Sequence, residues 1–347
     1  MNSTIQDNLY SELEKYIEVN KPISVVIITD RNTSEYCLPL FTSKFPSLLV
    51  YDIIELDPGE ENKNIDIVIG IWSMMNDFGV KRNSLIIALG GGVLCDMVAF
   101  AASTFKRGVD FALIPTTLLA QTDAAIGGKN GIDFNSYKNM IGLFSEPVCT
   151  IFDSDYLKTL PYDEHLNGLA EMLKHGLIID KEYFQHLIQL DIVDLTNITP
   201  LISRSIQIKK DIVKNDPFEK NERKKLNFGH TIAHALESFY LSKNINNLAH
   251  GRAVAAGIII ESYLSKSKTG LTETEFKEIE TFIRKLFIHV SFKKKDIKPL
   301  IEFMKSDKKN ESELINFSLL CKIGEAKINQ TCSESEINDA LLNYIKA

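Results

Sequence analysis

The stretch LNFGHTIAHALE, Leu226 to Glu237, sets His230 and His234 four residues apart in a mostly apolar segment. On a helix that spacing puts both rings on one face, as in the zinc pair of a metalloprotease helix. A hydrogen-bonded, half-buried histidine pair without a metal has the same pattern, so other residues must decide. GLAEMLKHG, Gly168 to Gly176, carries Glu171 and Lys174 three residues apart with His175 beside them. By spacing alone that pair reads as a surface ion pair of little consequence. LAHGRAVAAGI, Leu248 to Ile258, sets His250 at the expected start of an apolar helix. Glu171, His230 and His250 together have the composition of a two-histidine, one-carboxylate site with an open position, which suits a catalytic Zn²⁺ or similar divalent ion. No spacing rule joins the three.

Two other segments could bind anions or polar ligands. ALGGGVLCD places Gly90, Gly91 and Gly92 between a β-type run and a helix, where backbone N–H groups and the helix dipole can approach a pyrophosphate. The motif is not GxGxxG, and a plain strand-to-helix turn explains it equally well. Asp96 reads either as a first-turn acid or as a cofactor contact. Ile114 to Gly142 is rich in turn residues and hydroxyls, and Asp123, Lys129, Lys138 and Asn139 bracket its glycine pair. It reads as a loop that wraps a polar ligand, with a solvated surface loop as the alternative.

The elements that must position these residues fall into two groups. In the first half, β-branched runs at Ile23–Thr29, Ser47–Leu56, Ser84–Gly92, Asp110–Thr117 and Val148–Asp153 alternate with amphipathic stretches such as Ile65–Phe78 and Val93–Thr104. That alternation predicts a mainly parallel sheet covered by helices, an α/β domain over 1–155. From about Tyr156 helical periodicity takes over, predicting an α-helical domain over 156–347. Gly324 within Ile315–Ile328 marks a hairpin before a final helix from about Ser333.

With 347 residues, the chain is long enough for two domains with ordinary cores. A net charge of -7 argues against a general nucleic-acid or anionic-membrane binder, while a small anionic substrate needs only a local cluster of Lys and Arg. Five cysteines without CxxC or CxC pairing fit neither a disulfide framework nor a thiolate zinc site. No leader-like or membrane-spanning run stands out, so the expectation is a cytoplasmic protein with neither nucleic acid nor membrane as partner.

In order along the chain, GGGVLCD, KRGVDFALIPTTLLAQTDAAIGGKNGI, KNMIGLF, LKTLP, GLAEMLKHGLI, RKKLNFGHTIAHALE, HGRAVAAG and DKKN resemble the motifs of the 3-dehydroquinate synthases, from about Thr29 to Asn310. The resemblance implies an NAD-binding α/β domain, an α-helical metal domain, an active site in the cleft between them, and a homodimer. It implies Glu171, His230 and His250 as ligands of Zn²⁺ or Co²⁺, with His234 turned instead toward the phosphate of the substrate. It assigns NAD⁺ contacts to Asp30, Glu60, Lys63, Gly90, Gly91, Gly92, Asp96, Thr116, Thr117, Lys129, Lys138 and Thr159. Substrate contacts and catalytic positions fall on Arg107, Asp123, Lys129, Lys138, Asn139, Lys174, Arg223, Asn227, His234 and Lys308. The implied substrate, 3-deoxy-D-arabino-heptulosonate 7-phosphate, carries a carboxylate and a phosphate, which the Lys and Arg residues of that set suit. The implied reaction is a transient oxidation by NAD⁺, loss of phosphate, re-reduction and an intramolecular aldol closure, with no net redox change.

Three residues depart from the family pattern. Cys95 replaces a common glycine and is expected to add a side chain near the pyrophosphate turn. Asn221 replaces a frequent glycine before Arg223, a mild change because Asn tolerates the left-handed conformation. Arg252 stands where glutamate is common, and is expected to place a positive charge near His250. Rival readings are a polyol or alcohol dehydrogenase, which needs no phosphate cradle, a sister sugar-phosphate cyclase, and a non-catalytic descendant, which would have lost a metal ligand.

Overall fold

The computed structural model describes residues 9–134, 137–190, 198–243, 248–306 and 314–346. The chain divides into two compact units, Met1–His165 and Leu166–Ala347.

The first unit runs α1 (Ser11–Asn20), β1 (Val25–Asp30), α2 (Arg31–Tyr36), α3 (Leu38–Lys44), β2 (Asp52–Leu56), α4 (Ile65–Asp77), β3 (Leu85–Gly90), α5 (Gly92–Thr104), β4 (Asp110–Pro115), β5 (Lys129–Phe134) and β6 (Tyr137–Phe144). Strands β2-β1-β3-β4 form a parallel sheet in that order. Residues of β1 and β3 are buried on both faces, which is why these strands read as continuous apolar runs rather than as alternating ones. Val26, Ile28, Ile86 and Ala88 pack in one core with α4 and α5, and Val25, Ile27, Leu85 and Ile87 pack in another with α1 and α3. All carboxyl ends of the strands therefore lie along one edge, where Asp30, Gly90 and Thr116 are found.

Three expectations change. The run at Ser47–Leu56 forms a strand only from Asp52, and Leu49 and Val50 are 84% exposed. Val148–Asp153 is not a full strand but runs parallel beside β4, its backbone bonded to Phe111 and Leu113 through Val148, Cys149 and Ile151, before Asp153 caps the next turn. Ile114–Gly142 is not one loop, because β5 and β6 pair antiparallel, with Gly131 opposite Gly142.

The second unit runs α6 (Tyr162–Ile179, within which the division falls), α7 (Lys181–Ile188), α8 (Ile198–Asn215), α9 (His230–Ser242), α10 (His250–Lys268), α11 (Glu273–Leu286), α12 (Ile297–Ser306), β7 (Ile315–Lys322), β8 (Glu325–Cys332) and α13 (Glu334–Lys346). The last three elements are the expected hairpin and final helix. Helix α10 is buried nearly all round from Gly251 to Ser265, as its apolar composition requires. It packs on α9, α11, α13 and β7. Its contact with the start of α9 is the tightest, since a Cβ built on Gly257 would lie 1.9 Å from the Gly229 carbonyl oxygen.

Candidate metal centre

The helix expected over Leu226–Glu237 begins only at His230. Glu222–Asn227 is a 3-10 turn, and Gly229 adopts a left-handed φ of 82° that a side chain would strain. His230 is thus the first residue of α9, as His250 is of α10, while Glu171 lies within α6. The three converge: Oε1 of Glu171 is 3.3 Å from Nε2 of His230 and 3.4 Å from Nε2 of His250. Ligands about 2.0–2.1 Å from a tetrahedral zinc are separated by about 3.3–3.4 Å, so both spacings suit one shared cation.

Glu171 is fully buried, and neither carboxylate oxygen has a hydrogen-bond partner of proper geometry among the described residues. Such an orphan is costly unless a charge satisfies it. Lys174 makes a close ion pair with Oε2, leaving Oε1 to face the histidines. Lys174 is itself only 1% exposed, so this is a buried pair and not the surface pair that i, i+3 spacing suggests. His175, beside it, turns to Ser205.

The second nitrogen of each histidine is also held. His230 Nδ1 faces the Phe228 carbonyl at 3.2 Å, and His250 Nδ1 faces Glu237 at 3.2 Å. These are the outer partners that fix tautomer and ring orientation in metal sites. Burial, then Lys174, lowers the His230 pKa to about 4, so its ring is neutral as a ligand must be. Burial opposes charge on His250 too, but Glu237 and Glu171 outweigh it and raise that ring to about 10. A cation must displace that proton to bind. Burial likewise disfavours charge on Glu171, yet the Lys174 ammonium holds it well below the usual carboxylate range.

Neither histidine helix caps itself, since Gly229 and Ala249 supply no side-chain cap. The orphan N–H groups of each start are met from another helix. Glu261 of α10, fully buried, accepts from Gly229 N at 2.6 Å and Ile232 N at 3.2 Å. Asn167 of α6, four residues before Glu171, accepts from Gly251 N at 2.9 Å. Helices α6, α10 and α9 thus fix one another where the ligands emerge. Sequence reasoning missed Glu237 and Glu261. The signal for Glu237 was its place seven residues after His230, on the same face; for Glu261 it was a lone acid in AVAAGIIIESYL.

We expect Glu261→Gln to cost about 1–3 kcal/mol, because an amide cannot accept both N–H groups as well as a carboxylate does. Metal affinity should fall about 10–100-fold, as for other outer partners. Thermal unfolding and metal titration check the two effects separately. Lost stability at unchanged affinity would leave Glu261 a helix cap only.

His234 meets His230 edge to face, with ring centroids 5.5 Å apart, so the two do share a face. Arg223 is buried, and its Nη1 donates to the Pro217 carbonyl at 2.6 Å. Asn227 Nδ2 donates to Glu219 at 2.6 Å. Asn221 has φ −137°, so it needs no left-handed tolerance; Glu219 is the left-handed residue here, with φ 58°. Lys308 lies outside the described residues. Arg252 lies about 200° around α10 from His250, so its charge points to another face.

In the first unit a second group assembles. Lys63, 4% exposed, donates to Asp96 Oδ2 and Asn139 Oδ1, both at 2.6 Å, and Lys138 lies 3.4 Å from Glu60. Burial disfavours charge on Lys63, but Asp96 and Glu60 raise its pKa and keep it an ammonium. Asp96 is the fifth residue of α5, past its first turn. Asp30 caps α2 in a capping box with Thr33. The Thr116 N–H bonds to the Gly90 carbonyl, and Thr117 Oγ1 accepts from Ala120. A Cβ on Gly91 would approach Thr117 to 3.1 Å and one on Gly92 would approach Ala124 to 3.0 Å, so both glycines keep this turn tight. Cys95 packs inward, 1% exposed with Sγ toward the Gly90 carbonyl, and burial pushes its thiol pKa up. It therefore adds its side chain beside the turn, as expected, on the buried side.

Asp123 lies in the helical turn Ala120–Ala124, Lys129 opens β5, and Thr159 is an exposed residue ending the turn after Asp153. Arg107 is the outlier. It is exposed with φ 66° and precedes β4, whereas Gly90 pairs with Pro115 at the other end of that strand, about 17 Å away.

A parallel sheet with a glycine turn, and a helical unit with a two-histidine, one-carboxylate centre, define the class: the dehydroquinate synthase-like fold. A solved 2-deoxy-scyllo-inosose synthase, complexed with carbaglucose-6-phosphate, NAD⁺ and Co²⁺, matches 96% of this chain and 94% of its own at a TM-score of 0.83 and 21% identity. The 2-epi-5-epi-valiolone synthase of Streptomyces hygroscopicus subsp. jinggangensis, with NAD⁺ and Zn²⁺ bound, matches 95% and 93% at 0.79 and 24% identity. Models of the N-terminal and C-terminal parts of 3-dehydroquinate synthase match residues 53–167 and 168–310. The chain belongs to the 3-dehydroquinate synthase family. A 3-dehydroquinate synthase of Parabacteroides distasonis is 40% identical over 97% of this chain and 96% of its own, and one of Alkaliphilus metalliredigens is 38% identical over 85% and 83%.

Proposed function

We propose that the chain converts 3-deoxy-D-arabino-heptulosonate 7-phosphate to 3-dehydroquinate and phosphate, using NAD⁺ and Zn²⁺ or Co²⁺, as a cytoplasmic homodimer. The observation that carries this reading is the convergence of Glu171 Oε1 with His230 and His250, in a chain 40% identical to a curated synthase along nearly its whole length. When bound, NAD⁺ takes up and returns a hydride, and the divalent cation polarises the hydroxyl that is oxidised. Glu171, His230 and His250 hold the cation, and Lys174 keeps Glu171 ionised. Gly90, Gly91 and Gly92 let backbone N–H groups approach the pyrophosphate, with Asp30, Glu60, Lys63, Asp96, Thr116, Thr117, Lys129, Lys138 and Thr159 as further NAD⁺ contacts. Lys129, Lys138, Lys174, Arg223 and Lys308 offer the positive charge that a substrate with a carboxylate and a phosphate requires, and Asp123, Asn139, Asn227 and His234 orient it.

The test is phosphate release from that substrate with NAD⁺ and Zn²⁺ or Co²⁺, with and without chelator. Release that needs both the metal and NAD⁺, without accumulation of NADH, supports the cyclase, because simple phosphate hydrolysis needs no NAD⁺ and a net oxidation would accumulate NADH. Metal-replete, folded protein that releases no phosphate sinks the assignment. Lys129 is exposed at the start of β5, so Lys129→Ala should impair turnover and leave the melting temperature nearly unchanged. A melting temperature that collapses with activity would make Lys129 structural.

A further inference from the structure

The face of α10 that carries Arg252 opens on a cavity of about 360 Å³, within the range of small-molecule sites. Its walls include Ile259, Ile283, Phe287, Ile288 and the ring of Tyr344, and among the described residues no acidic one lines it. Two guanidinium groups do, and they differ. That of Arg284 is committed: it donates to Glu280 Oε1 at 3.2 and 3.1 Å and to His289 Nδ1 at 3.2 Å, and lies 5.0 Å over the Tyr344 ring. Arg252 makes no hydrogen bond and no ion pair to any described side chain, and its Nε is buried without a partner. A buried Nε without an acceptor is costly, and a planar carboxylate is the group that satisfies a guanidinium's fork of donors.

The pocket is otherwise pre-formed. His289 stacks on Tyr344 at 4.5 Å, Phe292 lies parallel to the same ring at 5.8 Å, and the Tyr344 hydroxyl accepts from Val290 N. Arg252, Ala255, Ala256 and Ile259 recur at helical spacing on one stripe of α10, while His250 emerges on a different side.

We propose that this cavity is a binding site for a small monocarboxylate with an aromatic or branched aliphatic body, its carboxylate on Arg252 and its apolar part among Ile259, Ile283 and Phe287. The site does not rest on the reading of the reaction, since none of these residues was assigned to it.

The experiment is calorimetric titration of the NAD⁺- and metal-loaded protein with phenylacetate, against phenylacetamide, acetate and inorganic phosphate. Phenylacetate should bind, with the amide and acetate at least about tenfold weaker, because each lacks the charge or the apolar body. Arg252→Gln should weaken phenylacetate at least about tenfold. Ile288→Glu should do the same by placing a carboxylate at the mouth, and Ile288 is 69% exposed, so this variant keeps the fold. Equal binding to Arg252→Gln, displacement of phenylacetate by phosphate, or no binding at millimolar concentration would each overturn the site.

Discussion

Glu171→Gln will yield protein that neither holds a stoichiometric divalent metal nor releases phosphate. Glutamine preserves the shape of Glu171 and removes its charge, and Oε1 is the atom that both Nε2 groups approach at 3.3 and 3.4 Å. Loss of an outer partner weakens metal sites by about 10–100-fold, and loss of a ligand should exceed that. A metal polarising its substrate contributes several kcal/mol, so turnover should drop by about a thousandfold or more. The change has a second cost. Lys174, 1% exposed, would lose its buried counter-charge, and breaking such a pair typically costs about 3–5 kcal/mol. Metal analysis, phosphate release and thermal unfolding of the variant separate the effects. Full metal content with full activity would remove Glu171 from the ligand set.

The second large effect is expected at Gly257, a residue with no chemical role of its own. An added Cβ would lie 1.9 Å from the Gly229 carbonyl oxygen, a contact no real Cβ makes, and the atom in the way is backbone rather than a movable side chain. Gly257→Ala must therefore push the start of α9 off α10. Overpacking costs typically about 1–3 kcal/mol and occasionally more, and a rigid backbone partner belongs at the upper end. His230 is the next residue after Gly229, so metal affinity should fall along with stability. Thermal unfolding with and without added Zn²⁺ checks this, since a weakened site gives a smaller metal-induced rise in melting temperature. A variant with wild-type stability and metal response would show that the helices adjust freely.

Much of this was legible in the sequence, for physical reasons that differ by residue. Strands β1 and β3 were readable because burial on both faces leaves long β-branched runs, and α10 because a helix buried all round must be apolar. Val148–Asp153 has the same composition as a strand yet is not a full one, since composition does not report how far an edge segment pairs. The Ile114–Gly142 stretch read as a loop because glycines opposite one another in a hairpin look like turn glycines. Ligand types identified Glu171, His230 and His250 as candidates, but only tertiary packing brings α6, α9 and α10 together. Spacing could not tell that Glu171 and Lys174 are buried, and it carried no sign of the caps from Glu261 and Asn167, which join residues 29 to 84 positions apart.

Those caps have a kinetic reading. The first amides of an ordinary helix exchange quickly with solvent, because they bond to water or to a fraying local cap. The amides of Gly229, Ile232 and Gly251 instead bond to carboxylate and carboxamide groups on other helices. Their hydrogens can exchange only when α9 leaves α10 or α10 leaves α6, a subglobal opening and not end-fraying. Three amides at helix starts thus become slow-exchanging probes, and their protection factors measure directly how often α9, α10 and α6 part.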